Sequence, residues 1–404
     1  MRTGQSLTQL FAMRHDEPGL RSKYYDMSLV LVALALLTIG FVMVTSASMP
    51  VAIRMHDNPF YFSIRHAIYI GLSISIAFVV MNVPMHVWRT INPYLLLFAA
   101  LLLLAVLVIG FSVNGSKRWI RFGPITVQAA EPAKLFFFCY LAGYLVRRYD
   151  EVTAGFKGFM KPIVVISVLA FLLMLQPDFG TVVVLFATTF GLLFLAGAKL
   201  IQFFSLVFAG LMVIVALIIF EEYRMRRVIA FLDPWADPFG SGYQLTQSLM
   251  AYGRGSWFGQ GLGNSVQKLE FLPEAHTDFI FAILAEELGF IGVFVVLILI
   301  LFLVIRALQI GTKALVNERP FESFLAYSIG IWFSIQTAIN IGASSGILPT
   351  KGLTVPLVSY GGSSMIIMSM AVAILLRIDF EMRVDGVHAR KRSSRKKHKE
   401  ALDA

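Results

Sequence analysis

The stretch DFIFAILAEELGFIGVFVVLILILFLV, residues 278–304, decides the fold. From Phe290 to Val304 it carries no charge, and its whole length exceeds the ~20 mostly apolar residues that cross a bilayer as a helix. A segment of this kind reads as a membrane span. Yet it opens on Asp278, directly after LPEAHT (272–277), and it holds Glu286 and Glu287. Carboxylates are costly inside a span and face partners or a polar cavity when they occur there. The rest of the chain has to show what these three are for.

The surroundings agree with a membrane protein. Of 404 residues, 57% are hydrophobic and 14% charged, with a mean hydropathy of +0.75. A soluble domain is about one-quarter charged, so a soluble globular chain is excluded. The single cysteine, Cys139, allows no disulfide within the chain. The seven histidines (His15, His56, His66, His86, His276, His388 and His398) have no metal-ligand spacing on one helix, so no metal ligands are expected among them. The first apolar run begins near Met27 and is too long for a signal-peptide core, so it reads as a retained helix.

Hydropathy places spans near 27–46, 64–82, 92–111, 130–146, 162–176, 179–198, 200–220, 278–304, 321–344 and 359–378. The expected fold is therefore all-α, a polytopic membrane protein with ten transmembrane helices. A segment 1–26 precedes a membrane domain 27–378, which has a large loop 221–277 between spans 7 and 8. A basic tail, 379–404, follows without apolar periodicity; it reads as a disordered cytoplasmic segment near anionic lipid rather than a nucleic-acid binder. Outside the spans, 22 Lys and Arg fall on the side of the termini and 11 on the other, which puts both termini in the cytoplasm. Eight of those 11 lie in two outer loops: Lys117, Arg118 and Arg121, then Arg224, Arg226, Arg227, Arg254 and Lys268. They either snorkel at the interface or hold an anionic ligand.

Four stretches can carry chemistry. In NGSKRWIRFGPITVQAAEPAKL (114–135), Glu131 and Lys134 are three apart and so neighbours on a helix. They form a self-neutralising ion pair, or Lys134 faces a cavity and reaches a phosphate. The loop 221–277 is too aromatic for disorder, and a short amphipathic helix over Gln244–Tyr252 fits it, lying on the membrane or over the bundle. Asp278 is either the N-cap of span 8 or a reactive carboxylate. Glu286 lies eight residues on, about 80° around and about 12 Å along the helix, so the two are not a close acid–base pair. Glu286 and Glu287 then bind partners elsewhere, such as Lys134 or a backbone end. Last, INIGASSGILPTKGLTVPLVSYGGSS (339–364) breaks the apolar pattern; it lines a cavity or turns between spans, with Asn340 and Lys351 as its polar candidates.

Together KRWIRFGPITVQAAEPAK, DPWADPFGSGYQ, LPEAHTDFIFAILAEELG and GILPTKGLTVPLVSYGGSS, in this order, resemble the SEDS family (shape, elongation, division and sporulation), across nearly the whole chain. GNSVQKLEFLPEAHTDF and LPTKGL are closer to its cell-division branch than to its elongation branch. The resemblance implies a peptidoglycan glycosyltransferase at the division septum of the inner membrane. It would polymerise lipid II beside a class B penicillin-binding protein transpeptidase and other divisome membrane proteins. It also implies Asp278 as the key carboxylate and Arg118, Glu131 and Lys134 as cavity residues. Glu274, His276, Arg224 and Lys351 join them as candidate substrate contacts. In that chemistry Asp278 would deprotonate the acceptor hydroxyl. Arg and Lys, or a divalent cation such as Mg²⁺ or Mn²⁺, would neutralise the leaving pyrophosphate. The competing reading is a lipid II flippase, which also accounts for many spans and intramembrane charges; the outer placement of the candidate residues favours the enzyme.

Overall fold

The computed structural model describes residues 25–402 except 114–115, 124, 221–224, 226–228 and 351. Helices dominate: α1 (Met27–His56), α2 (Tyr61–Met81), α3 (Met85–Ile109), α4 (Ala130–Arg147), α5 (Tyr149–Ala154), α6 (Phe156–Met174), α7 (Phe179–Leu195), α8 (Leu200–Ile219), α9 (Tyr243–Gly255), α10 (Ile280–Val316), α11 (Pro320–Ser344) and α12 (Gly362–Leu402). Among the described residues, six helices are long and apolar enough to cross a membrane: α1, α2, α3, α10, α11 and α12 as far as Asp385. Shorter apolar helices occupy Gly158–Met174 and Phe179–Leu195. The most deeply buried helix is α4, wrapped by α3, α6, α7, α11 and α12. Its charged residues Glu131 and Lys134 therefore face protein rather than lipid.

Contacts between elements distant in sequence sort into two ends of the bundle. At one end Asp26 caps α1 and pairs with Arg306, while Glu381 accepts from Met85 N, Arg319 and Arg377. At the other end Arg54 pairs with Glu270, Gln128 bonds Ser363, Ser248 bonds Ser344, and Tyr360 N donates to His276 O.

Three features depart from the sequence reading. The first is a small antiparallel sheet of order β1-β2-β3 in a chain expected to be all helical: β1 (Phe111–Val113), β2 (Ser116–Phe122) and β3 (Ile125–Gln128). Lys117 Nζ binds the last carbonyls of α3, Leu107 O and Val108 O, and Ser363 Oγ joins β3 to α12 by accepting from Gln128 N. The second is that α12 continues through the basic tail to Leu402; the Arg, Lys, Glu and Ala that fill the tail are good helix formers. The third is a break in α10 at Gly289, which has φ 68°. A break in a span frees backbone groups that lipid cannot satisfy. Here the loop supplies them. Phe290 N and Ile291 N donate to Ser256 O and Trp257 O, and Gln260 N and Gly261 N donate to Glu286 O and Glu287 O. The two chains approach so closely that a Cβ on Gly289 would lie 2.3 Å from Gly259 N.

Candidate active site

The turn that presents Asp278 is built by its neighbours. Glu274, at φ 55°, accepts from Thr277 N and Phe279 N through its carbonyl, and from Thr277 Oγ1 through Oε2 at 2.6 Å. The chain leaves this turn into α10, whose N-cap is Phe279, with no side-chain cap. Asp278 is thus one residue too early to cap the helix, and the capping reading of it is corrected. Asp278 is half-buried. Its carbonyl accepts from Asn340 Nδ2 at 2.8 Å. Its carboxylate lies against Gly352, where an added Cβ would come within 2.7 Å of Oδ2.

His276 fixes the turn from the other side. Its ring contacts Phe62 of α2 and Tyr360, at centroid distances of 5.0 and 5.4 Å, and its carbonyl accepts from Tyr360 N. Burial holds its imidazole below the ordinary histidine range, with Glu274 pulling the other way. A neutral ring is the form that such an apolar setting favours.

Below this turn lies a second polar layer. Lys134, with no exposed surface, donates to Glu131 Oε1 and to Gln336 Oε1, both at 2.9 Å, and its ammonium lies 5.1 Å from the Trp332 ring centre. Gln336 in turn donates to Thr354 O, and Thr354 Oγ1 bonds Ser364 Oγ at 2.7 Å. Of the two sequence readings, the geometry matches the ion pair. Arg118, on β2, donates to Gln176 O and Pro177 O and approaches Asp178 at 4.0 Å, so it fastens the sheet to the α6–α7 turn. Arg224 and Lys351, with Arg226 and Arg227, lie outside the described residues.

Glu286 and Glu287 find their partners in the loop and in α1, not at Lys134. Glu286 accepts from Ser265 Oγ, Val266 N and Gln267 N and pairs with Arg254; Glu287 accepts from Lys268 Nζ and Ser46 Oγ, both at 2.7 Å. These bonds clamp the loop into the break of α10. The amphipathic helix appears as α9, packed over α10 and α11, with Ser248 Oγ donating to Ser344 O. Among the described residues no group of three or more His, Cys, Asp or Glu side chains is placed to hold a metal ion.

Sequence reasoning missed Gln336, Trp332 and Gly352. A signal existed for the first: Gln336 and Asn340 are two amides four residues apart within a membrane span, where such side chains need a reason.

The model of the cell cycle protein family, which groups FtsW, RodA and SpoVE, matches residues 26–384. A protein of Alteromonas naphthalenivorans named probable peptidoglycan glycosyltransferase FtsW is 72% identical over 395 residues, covering 98% of this chain and 77% of that one. A protein of the same name from Shewanella sediminis is 57% identical, covering 95% and 93%. Among solved structures, a chain described under structural coordination of polymerization and crosslinking by a peptidoglycan synthase complex aligns with a TM-score of 0.74 and 26% identity, over 89% of this chain and 98% of that one. The rod shape determining protein RodA of Thermus thermophilus aligns with a TM-score of 0.65 and 25% identity, over 88% and 96%.

Proposed function

The chain belongs to the cell cycle protein family of FtsW, RodA and SpoVE, and on that premise we propose that it is a peptidoglycan glycosyltransferase of the FtsW type. It polymerises lipid II into glycan strands during septal wall synthesis. In the bond-forming step the acceptor hydroxyl attacks the anomeric carbon of the donor. The bond from that carbon to the lipid pyrophosphate breaks, and Asp278 takes the hydroxyl proton. A single displacement of this kind inverts the anomeric centre. Undecaprenyl pyrophosphate leaves with its charge met by cations of the outer loops.

The observation that carries the reading is the mounting of Asp278. Its turn stands at the end of the bundle where the loops gather, with the carboxylate against Gly352 and the backbone held by Asn340. Ten spans, with both termini in the cytoplasm and Asp278 on the outer side, are consistent with the two sets of end contacts and with the Lys and Arg asymmetry. A class B penicillin-binding protein as transpeptidase partner is in keeping with the solved synthase complex. The test is strand synthesis from labelled lipid II by purified protein with that partner, whose crosslinking is blocked. Wild type should make long strands and Asp278→Asn none, while the variant stays folded and partner-bound.

A further inference from the structure

Gln336 and Asn340 stand one turn apart on α11, both buried, so they share a face. A buried amide is costly unless it is bonded. Each of these grips the same irregular segment: Gln336 Nε2 donates to Thr354 O at 2.8 Å, and Asn340 Nδ2 donates to Leu353 O. Their other bonds diverge. Asn340 Nδ2 also donates to the Asp278 carbonyl, and Gln336 Oε1 accepts from Lys134 Nζ and from Trp332 Nε1 at 2.7 Å. The amide orientations follow from this chemistry. Only an N–H can face two carbonyls, and only an oxygen can face an ammonium and an indole N–H.

We propose that Gln336 and Asn340 are positioning residues for Asp278, holding residues 352–354 at a fixed place against the 274–279 turn. The inference rests on Asp278 being the base. Two backbone points bear on the place of that carboxylate, its own carbonyl and the Cα of Gly352. Asn340 ties the first directly and the second through Leu353, the next residue. Gln336 fixes Thr354 and anchors it to the buried Glu131–Lys134 pair, which has no freedom to follow a shift. Lys134 thereby acts on the reaction through the mount rather than by touching the phosphate. Without one amide donor the segment loses its height, and a ~1 Å misplacement of a catalytic group costs about 100-fold.

The test compares Asn340→Leu, Asn340→His and Gln336→Glu with wild type, each purified with its transpeptidase partner. Asn340→His keeps a ring N–H for one carbonyl; Gln336→Glu keeps the acceptor for Lys134 and Trp332 but loses the donor to Thr354. Initial rates of strand synthesis are measured against lipid II concentration and pH. Asn340→Leu should lower kcat about 100-fold, leave KM within about twofold and move the acid limb of the pH profile. Asn340→His should recover part of the loss, and Gln336→Glu should lower kcat about tenfold at unchanged KM. A loss confined to KM, an unmoved acid limb, or wild-type kcat in folded Asn340→Leu would overturn the inference. If Asn340→Leu does not fold, Gln336→Glu decides in the same way. Equal strand synthesis by wild type and Asp278→Asn would instead remove the base that the inference rests on.

Discussion

Two groups of carboxylates share one short stretch and have opposite settings. Glu286 and Glu287 lie just before the break in α10 and are saturated: hydroxyls, backbone N–H groups, Arg254 and Lys268 meet their oxygens. Eight residues earlier Asp278 stands in the turn at the loop-rich end, its carbonyl accepting from Asn340 and its carboxylate laid against Gly352. A carboxylate whose oxygens already accept from several buried protein donors is tied to the structure, because each donor would be left unsatisfied without it. The first group locks a loop into a helix. The second has the mounting that a base requires. The difference shows that burial and charge alone do not mark a catalytic group; what the carboxylate is built into does, a loop lock in one case and a turn beside Gly352 in the other.

The comparison can be broken at several points. The largest effect should come from the lock. Glu287→Leu leaves the Lys268 ammonium buried without its counter-charge, and removing one member of a buried pair costs about 3–5 kcal/mol. Glu287→Leu combined with Lys268→Met should recover most of that. Thermal unfolding in detergent reads both, and equal losses in the single and double variants would mean that the pair is not the lock. Next comes Gly352→Ala. The atom its Cβ would crowd is the tip of the Asp278 side chain, which can move aside. The fold should therefore keep its melting point while strand synthesis falls tenfold or more, of the order expected for a displaced base. A variant that melts early but works normally would place Gly352 with the structural residues.

The smallest effect is a pH dependence. The folded-state pKa of His276 lies below the unfolded value of about 6.5. The unfolded chain therefore binds a proton first as pH falls, so stability from the neutral ring is present above about 6.5 and is lost below it. The melting point should decline from about pH 6.5 downward, and His276→Gln should flatten that decline. An equally steep decline in His276→Gln would assign the acid sensitivity to other groups.

Much of this was legible in the chain. Uncharged runs predicted helices that the structure contains, because a span must satisfy its own backbone and leaves a long apolar record. The amphipathic pattern over 244–252 gave α9 to within a few residues. Asp278 stood out because a carboxylate interrupts the pattern there. Other features left a weaker trace. The sheet 111–128 reads as loop by hydropathy, although Asn114-Gly115 is the pair that two-residue hairpins favour. The break at Gly289 looks like a tolerated glycine in an apolar run, since the loop that repairs it lies about 30 residues away. Gln336 and Lys134 are 202 residues apart, and no local rule pairs them. Long-range partners decide which charges are structural, and sequence spacing does not contain them.

The most direct test sets the two carboxylate groups side by side. Strand synthesis from labelled lipid II and thermal unfolding would be measured for wild type, Asp278→Asn and Glu286→Gln, each with its transpeptidase partner. The predicted result is that Asp278→Asn melts like wild type but loses at least about 100-fold in rate, whereas Glu286→Gln keeps its rate and melts earlier. Strands made at the wild-type rate by Asp278→Asn would contradict the account at its centre.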